Sequence, residues 1–350
     1  MKIIHLADVH LDSKLNSHLS IDKAKKRKAE ILVSFGKVVD YAKENNIKVI
    51  IIAGDLFDSN KALKSTEKYL CDVITSASDI DFIYLKGNHD EAFEFSIEMP
   101  ENLKEVDNGF NRLDYDNVSI GTIGLENDNY LKIDFEKEKF NIAVMHGTIG
   151  NSSDEFYINQ KLLQNRNIDY LALAHIHKSN EGKLDDRAKY RYCGCLDGRG
   201  FDECGEKGFY VIDTDVGTDE FVPMSSRVIF EFKIDVSDLD STALIIEKIK
   251  EKTKEVGNEN LVRVVLEGKT KEDEVEENLI KSSFEDKFFC FNLKNETTVY
   301  YDFESYKNDI SLKGEFMRLI EVEELEENIR QKAVSAVMSA LNSEDLKIWE

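Results

Sequence analysis

Two prolines, a single tryptophan, five cysteines and no long apolar run: this chain of 350 residues is described first by what it lacks. An odd cysteine count in a long chain argues against a disulfide framework. Cys193, Cys195 and Cys204 lie close together, but they sit in strand-like sequence with no nearby fourth ligand, so they read as buried thiols and not as a zinc site. No stretch approaches the length of a membrane span, and only Lys2 precedes an apolar run that His5 interrupts, which fits no signal peptide. A cytoplasmic protein with no membrane association is expected. Basic residues are also short, 46 against 69 acidic ones, for a formal net charge of -23. Neither half escapes: residues 1–224 hold 40 acidic and 28 basic side chains, and residues 225–350 hold 29 and 18. Proteins that grip nucleic acid with their own surface usually show a basic face. DNA as a partner therefore requires metal ions, or a second protein, to meet its phosphates.

What is present is concentrated at the ends of five strand-like runs. KIIHLA, KVIIIA, DFIYLK, FNIAVM and DYLALA are followed by DVH (Asp8, His10), GDLFD (Asp55), GNHD (Asn88, His89, Asp90), HG (His146) and HIH (His175, His177). Five of the seven histidines fall in these segments. Side chains at the carboxyl ends of neighbouring strands in an α/β sheet converge on one crevice, so distance along the chain does not separate them. Carboxylate, imidazole and amide oxygen without thiolate suit manganese, iron or zinc at a hydrolytic centre. In an extended segment His175 and His177 lie on one side; on a helix they would point apart. His5, inside the first strand, and His18, in a polar loop, read as structural.

The first 90 residues alternate in type: strand Lys2–Ala7, helix Lys23–Glu44, strand Lys48–Ala53, helix Lys64–Ser76, strand Asp81–Lys86. Ile31, Phe35, Val38, Val39 and Ala42 recur at helical spacing, as one buried face requires. This order predicts neighbouring parallel strands. Further strands are expected in VSIGTIGLE, KFNIAVMHG, DYLALAHIH, KYRYCG and KGFYVIDTD, with a short helix at Lys161–Asn165. Composition changes at Pro223. Beyond it the expectation is strand Arg227–Val236, helix Ala243–Val256, strand Leu261–Glu267, helix Glu272–Ser282 and strand Phe288–Leu293, then helical sequence over 311–349. The reading is an α/β fold in three parts: a catalytic domain at 1–224, a small α+β cap at 225–305 and a C-terminal helical segment at 306–350.

The order D-x-H, G-D-x-x-D, G-N-H-D, H, H-x-H resembles the calcineurin-like metallophosphoesterases. It is more similar still to their DNA-repair nuclease branch, the SbcD family, and within it to the bacterial YhaO-like proteins. ADVHLDS over Ala7–Ser13, YCGCLDGRGFDECGEKG over Tyr192–Gly208 and LVRVVLEGKT over Leu261–Thr270 carry that closer likeness. The resemblance implies a β-sandwich flanked by helices and two divalent metal ions, with manganese the first expectation. One ion would take Asp8, His10, Asp55 and His177; the other would take Asp55, Asn88, His146 and His175. Two metals of this kind activate a hydroxide and neutralise the phosphate oxygens. His89, whose neighbour Asn88 turns to the metal, is expected to stabilise phosphate or protonate the leaving oxygen, with Asp90 fixing its tautomer and raising its pKa. Arg199, flanked by glycines, is expected to contact substrate phosphate. Asp58 could support a ligand and Asp12 could orient the first loop. Two departures from the family stand out: Ala174 replaces the usual glycine before H-x-H, and Asp58 ends GDLFD where some relatives have histidine.

The expected function is a metal-dependent DNA exo- or endonuclease acting in repair. The alternative is a phosphodiesterase for a nucleotide or another small phosphoester. The intact ligand set argues against a silent scaffold, and GNHD in place of GNHE argues against a protein phosphatase. A cap after Pro223 would give a polymer a second wall. The family resemblance also implies an SMC-like ATPase (SbcC-like) as partner. Its docking site would be a helical stripe of Leu325, Ile329, Ala333, Ala336, Val337, Ala340 and Leu341, unless that stripe packs on the cap. A homodimer is left open.

Overall fold

The computed structural model describes residues 1–15, 19–125, 127–150, 152–271 and 275–341. His18 and the start of the expected helix at Glu272 lie outside them, as does the expected helical sequence beyond 341. The chain divides into two compact units, Met1–Ile229 and Phe230–Glu350.

The first unit begins with β1 (Lys2–Leu6), α1 (Ile21–Glu44), β2 (Val49–Ile52), α2 (Lys64–Thr75), β3 (Asp81–Leu85) and β4 (Leu103–Val106). It continues with β5 (Phe110–Tyr115), β6 (Val118–Ile123), α3 (Asn127–Leu131), β7 (Phe140–His146), β8 (Thr148–Ile149), β9 (Tyr157–Ile158) and α4 (Gln160–Leu163). It closes with β10 (Tyr170–Ala174), β11 (Asn180–Lys183), β12 (Lys189–Tyr192), β13 (Gly208–Asp213) and β14 (Thr218–Pro223). Two six-stranded sheets result, in the orders β14-β13-β1-β2-β3-β4 and β11-β12-β10-β7-β6-β5. The strands that precede the five motifs run parallel to one another: β1, β2 and β3 in one sheet, β7 and β10 in the other.

Strand periodicity builds the sandwich. In β7 and β10, Ile142, Val144, Tyr170, Ala172 and Ala174 join the first sheet's Ile4, Leu6, Ile50 and Ile52 in one core, while Ala143, Met145, Leu171 and Leu173 fill a second core on the other face. Because His146 follows Val144 by two residues, the same alternation turns it to the side of the first core. Helix α1 is capped by the Ser20 side chain, which accepts from the Lys23 N–H, and it buries Ile31, Phe35, Val38, Val39 and Ala42 on one stripe. Arg27 on that helix is buried and binds Asp197 at 2.6 Å and the Gly198 carbonyl at 2.7 Å, pinning the loop after β12.

His5 is a structural residue, as expected from its place inside β1. It is fully buried, and its Nδ1 lies 3.1 Å from the hydroxyl of Tyr170 in the opposite sheet. Burial pushes its pKa down from 6.5 to about 3. The unfolded chain therefore takes up this proton first as pH falls below 6.5, and stability is lost progressively towards pH 3. At pH 5 the loss from this group is about 2 kcal/mol relative to pH 8. In His5→Asn, the stability difference between pH 8 and pH 5, measured by urea unfolding with chelator present, should shrink by about that amount. An unchanged difference would assign the acid sensitivity elsewhere.

The second unit contains β15 (Ile229–Asp235, its first residue shared with the boundary), α5 (Thr242–Lys252), β16 (Leu261–Glu267), β17 (Lys269–Thr270), α6 (Glu277–Phe284), β18 (Cys290–Asn295) and β19 (Thr298–Val299). A sheet in the order β15-β16-β18 carries α5 and α6 over a core of Ile245, Ile249, Val262, Val264, Ile280 and Phe284. A 3-10 turn at Phe303–Tyr306, α7 (Leu312–Glu321) and α8 (Glu327–Leu341) follow in the same unit. The face that α8 buries differs from the expected stripe. Val334 and Met338 pack with Met317 and Tyr301, whereas Leu325, Ile329 and Ala340 are exposed. Val334 and Met338 lie one turn apart on a neighbouring face of the same helix, and that face is the one turned to Met317 and Tyr301.

Candidate metal centre

Each of the five motifs stands at the carboxyl end of its strand, and the backbone there is bent sharply. Asp8, His10, Asp55 and His175 take left-handed φ values of +47°, +49°, +50° and +88°. For residues with a Cβ such conformations cost on the order of 1–3 kcal/mol each and persist where surrounding structure over-determines them. Two glycines make the close approach possible. A Cβ at Gly54 would fall inside the His146 ring, and one at Gly87 would fall on the Asp55 carboxylate.

The ligand atoms meet in two groups that share one residue. Asp8, His10, Asp55 and His177 bring one donor atom each within 4.8 Å of one another. His10 Nε2 and His177 Nε2 face each other at 3.1 Å. On the other side, the Asn88 Oδ1 lies 2.8 Å from His146 Nε2 and 2.9 Å from His175 Nδ1. Asp55 Oδ2 stands between the groups, 3.6 Å from His10 Nε2 and 3.5 Å from His146 Nε2. Thus all seven residues expected as ligands converge.

The electrostatics fit a cation. Burial holds His146 down near 3 and His10 near 4, and it also lowers His175, so these imidazoles are neutral electron-pair donors. Burial pushes Asp8 up to about 6, and burial together with neighbouring Asp8 pushes Asp55 up to about 8. Two carboxylates forced together out of water, with imidazole lone pairs aimed at them, are a site that positive charge relieves. These residues could hold two divalent ions with Asp55 common to both.

The supporting contacts differ from expectation at two points. Asp90 does not touch the His89 ring: it accepts from the Tyr84 hydroxyl at 2.6 Å and from the N–H groups of Gly87 at 2.7 Å and Phe57 at 3.1 Å. It is a buried brace for the turn, because it satisfies backbone donors that burial would otherwise orphan. The tautomer of His89 is set instead by the Asp58 carbonyl, 3.1 Å from His89 Nδ1. Arg199 pairs its guanidinium with two carboxylates. Its Nη1 binds Asp58 at 2.9 Å and its Nη2 binds Glu203 at 2.7 Å. Asp58 Oδ1 in turn lies 3.3 Å from His10 Nδ1, and Glu203 Oε1 lies 2.8 Å from His177 Nδ1. Although burial opposes it, contacts with His10 and Arg199 hold the Asp58 carboxyl below its ordinary range, and those with His177 and Arg199 do the same for Glu203. Asp12 orients the first loop as anticipated, accepting from the Leu63 N–H at 2.7 Å and the Thr66 hydroxyl at 2.9 Å. That caps α2, whose own N-cap, Leu63, has no side-chain acceptor.

Glu203 was missed by sequence reasoning. Its signal lay in GRGFDECGEKG, where an acid four residues after Arg199 can share a turn with it. Cys193 and Cys195 are buried, and Cys193 Sγ donates to the His5 carbonyl at 3.2 Å; Cys204 is exposed, and its Sγ donates to the Phe201 carbonyl at 3.3 Å.

The family model for calcineurin-like phosphoesterases matches residues 1–179, more than half of the chain. The protein belongs to the calcineurin-like phosphoesterase family, and phosphoester hydrolysis at a dinuclear metal centre is its chemistry. The metallophosphoesterase YhaO of Bacillus subtilis (strain 168) is similar at 27% identity over 296 residues, covering 77% of this chain and 72% of YhaO. The DNA double-strand break repair protein Mre11 of Sulfolobus acidocaldarius is 22% identical over 296 residues, covering 77% of this chain and 75% of that protein. Among solved structures, a dimetal phosphatase from Danio rerio aligns over 60% of this chain and 91% of its own, at 9% identity and a TM-score of 0.41. Among the described residues, no helix is long and apolar enough to cross a membrane.

Proposed function

We propose that the protein is a manganese-dependent DNA nuclease of the SbcD type, acting in repair and located in the cytoplasm. The observation that carries this reading is the reach of the likeness to Mre11. It spans 77% of the chain, whereas the family model stops at residue 179, so part of the second unit shares in it. A phosphoesterase for small substrates needs only the catalytic unit.

One ion would be held by Asp8, His10, Asp55 and His177, the other by Asp55, Asn88, His146 and His175. Such ions supply a nucleophile at neutral pH and relieve the phosphate's charge. Asn88 donates an amide oxygen without adding negative charge against the phosphate. His89 is exposed beside these residues, with a proton held on Nδ1 by the Asp58 carbonyl. Its Nε2 is then the atom that exchanges a proton with the leaving sugar oxygen.

A second reading keeps its place on two observations. The net charge is -23, and a cleft of about 320 Å3 beside the centre, lined by Asn88, His146, Phe156, Glu91 and Glu155, is of the size that takes a small ligand. A partner with basic grooves resolves the charge problem for DNA. For that partner we propose an SMC-like ATPase, docking on the exposed apolar residues Leu312, Leu319 and Ile329 of the last two helices and Val322, which caps the first of them.

The deciding assay follows nucleotide release from labelled DNA with manganese, beside a cyclic nucleotide and a nitrophenyl phosphodiester. Cleavage of DNA is expected; cutting of the two small substrates alone would replace the nuclease with the second reading. A Leu319→Glu, Val322→Glu double variant should retain nitrophenyl phosphodiester hydrolysis and lose co-purification with the ATPase. Undiminished co-purification would remove these helices from the interface.

A further inference from the structure

We infer that Arg199 is a positioning residue that couples the two imidazoles of one half of the centre, acting through Asp58 and Glu203. The inference rests on the reading of Asp8, His10, Asp55 and His177 as a metal pocket. It goes beyond that reading, because it gives the two halves of the centre different supports and therefore different responses to one substitution.

The guanidinium is shared between two carboxylates, each of which stands behind a different imidazole. Nη1 is 2.9 Å from Asp58 Oδ1, the oxygen 3.3 Å from His10 Nδ1. Nη2 is 2.7 Å from Glu203 Oε1, the oxygen 2.8 Å from His177 Nδ1. Nη1 also reaches the Ser13 hydroxyl at 3.5 Å, and that hydroxyl donates to the His10 carbonyl at 2.6 Å. One planar fork thus fixes the loop after β1 and the loop after β10. Lysine, a point charge on a flexible stem, has no second arm for this.

Tautomer logic gives the arrangement its direction. Arg199 Nη2 also lies 3.0 Å from His177 Nδ1, so that nitrogen can accept from Arg199 or donate to Glu203, but not both. When His177 Nε2 gives its lone pair to a cation, Nδ1 must carry the proton, and Glu203 becomes its acceptor. Asp58 Oδ1, 3.3 Å from His10 Nδ1, is an ion-pair contact, and it is the carboxylate placed to accept once that nitrogen carries the proton. A carboxylate behind a ligand imidazole fixes its tautomer and raises its basicity. Arg199 in turn neutralises two acids that would otherwise crowd Asp8 and Asp55.

Among the described residues the other half is supported by other groups, with Asp154 the acid that acts on His175. Behind His146, Nδ1 faces the Ala53 carbonyl at 3.2 Å, a neutral backbone group that no side-chain substitution removes. Loss of Arg199 should therefore loosen one metal ion and spare the other.

The test uses the full chain stripped with chelator and titrated with manganese, read by calorimetry and by electron paramagnetic resonance. The parent should bind two ions and show an exchange-coupled signal. Arg199→Met should bind one ion as tightly as the parent and the other about 10- to 100-fold more weakly, giving an uncoupled six-line signal at one equivalent. Arg199→Lys, which keeps the cation and protects the fold, should fall between the two. Two ions bound in Arg199→Met, or in Arg199→Lys should the methionine variant not fold, with parental affinity and coupling would overturn the inference while leaving the metal reading intact. A parent that binds no manganese would overturn both.

Discussion

Asp55→Asn is expected to leave a folded chain with well under one metal ion and almost no hydrolysis. The carboxylate is 1% exposed, and its Oδ2 lies 3.6 Å from His10 Nε2 and 3.5 Å from His146 Nε2, one nitrogen from each half of the centre. An amide of the same shape can still accept the His89 N–H, which meets Asp55 Oδ1 at 2.9 Å, so the turn is kept. What it removes is the single negative charge that both ions would share. Each ion's contribution is worth several kcal/mol of charge stabilisation, so losing both should lower the rate by more than about 10³-fold. The pH dependence has a definite sign. With no metal bound, burial and Asp8 hold the Asp55 carboxyl near 8, so at pH 7 it is mostly protonated and metal must displace that proton. Metal affinity of the parent should therefore weaken as pH falls below 8, and further below about 6, where Asp8 also takes up a proton. Metal content near two ions per chain in the variant would remove Asp55 from the bridging role.

His89→Ala should do the opposite to metal and the same to turnover. The residue contributes its backbone N–H to Asp55, which alanine retains, and its ring meets the Asp58 carbonyl and packs edge-on against His10 at 4.8 Å. Both metals should stay. A proton donor or charge-stabilising group is typically worth on the order of 10² to 10⁴ in rate. The loss should appear in kcat with little change in KM, as for an interaction made only in the transition state. A variant that is inactive because it has lost its metals would recast His89 as part of the ligand scaffold.

The residues that would hold metal were legible because two simple periods place them. Apolar runs of strand length stop at a ligand five times over, and parallel strands deliver their carboxyl ends to one edge. Among the supporting residues Asp58 and Asp12 were legible, but the partners of Asp90 and Arg199 were not, and each failure has a cause. Asp90 follows His89 in the chain, which suggested a partnership, yet the tight turn sends its carboxylate to the N–H groups of Gly87 and Phe57 and to the Tyr84 hydroxyl. Arg199 lies between two glycines, which suggested access to substrate. Its partner Asp58 is 141 residues away and becomes a neighbour only when the loop after β2 meets the loop after β12. The buried stripe of α8 was misjudged for a similar reason: helical spacing allowed more than one face, and packing against Met317 and Tyr301 chose Val334 and Met338.

The sequence alone thus determined the alternation of strands and helices over the first 90 residues, the donor set and its place at the strand ends. These follow from local periodicity and from the chemistry of the side chains themselves. Only the tertiary structure decided which oxygen stands behind which imidazole, which acid braces the turn, and that Arg199 pairs with Asp58 and Glu203. Hydrogen-bond partners are chosen by burial, since a polar group taken out of water must pair with whatever the fold brings within about 3 Å. That choice is made between loops far apart in the chain, where no spacing in the sequence records it.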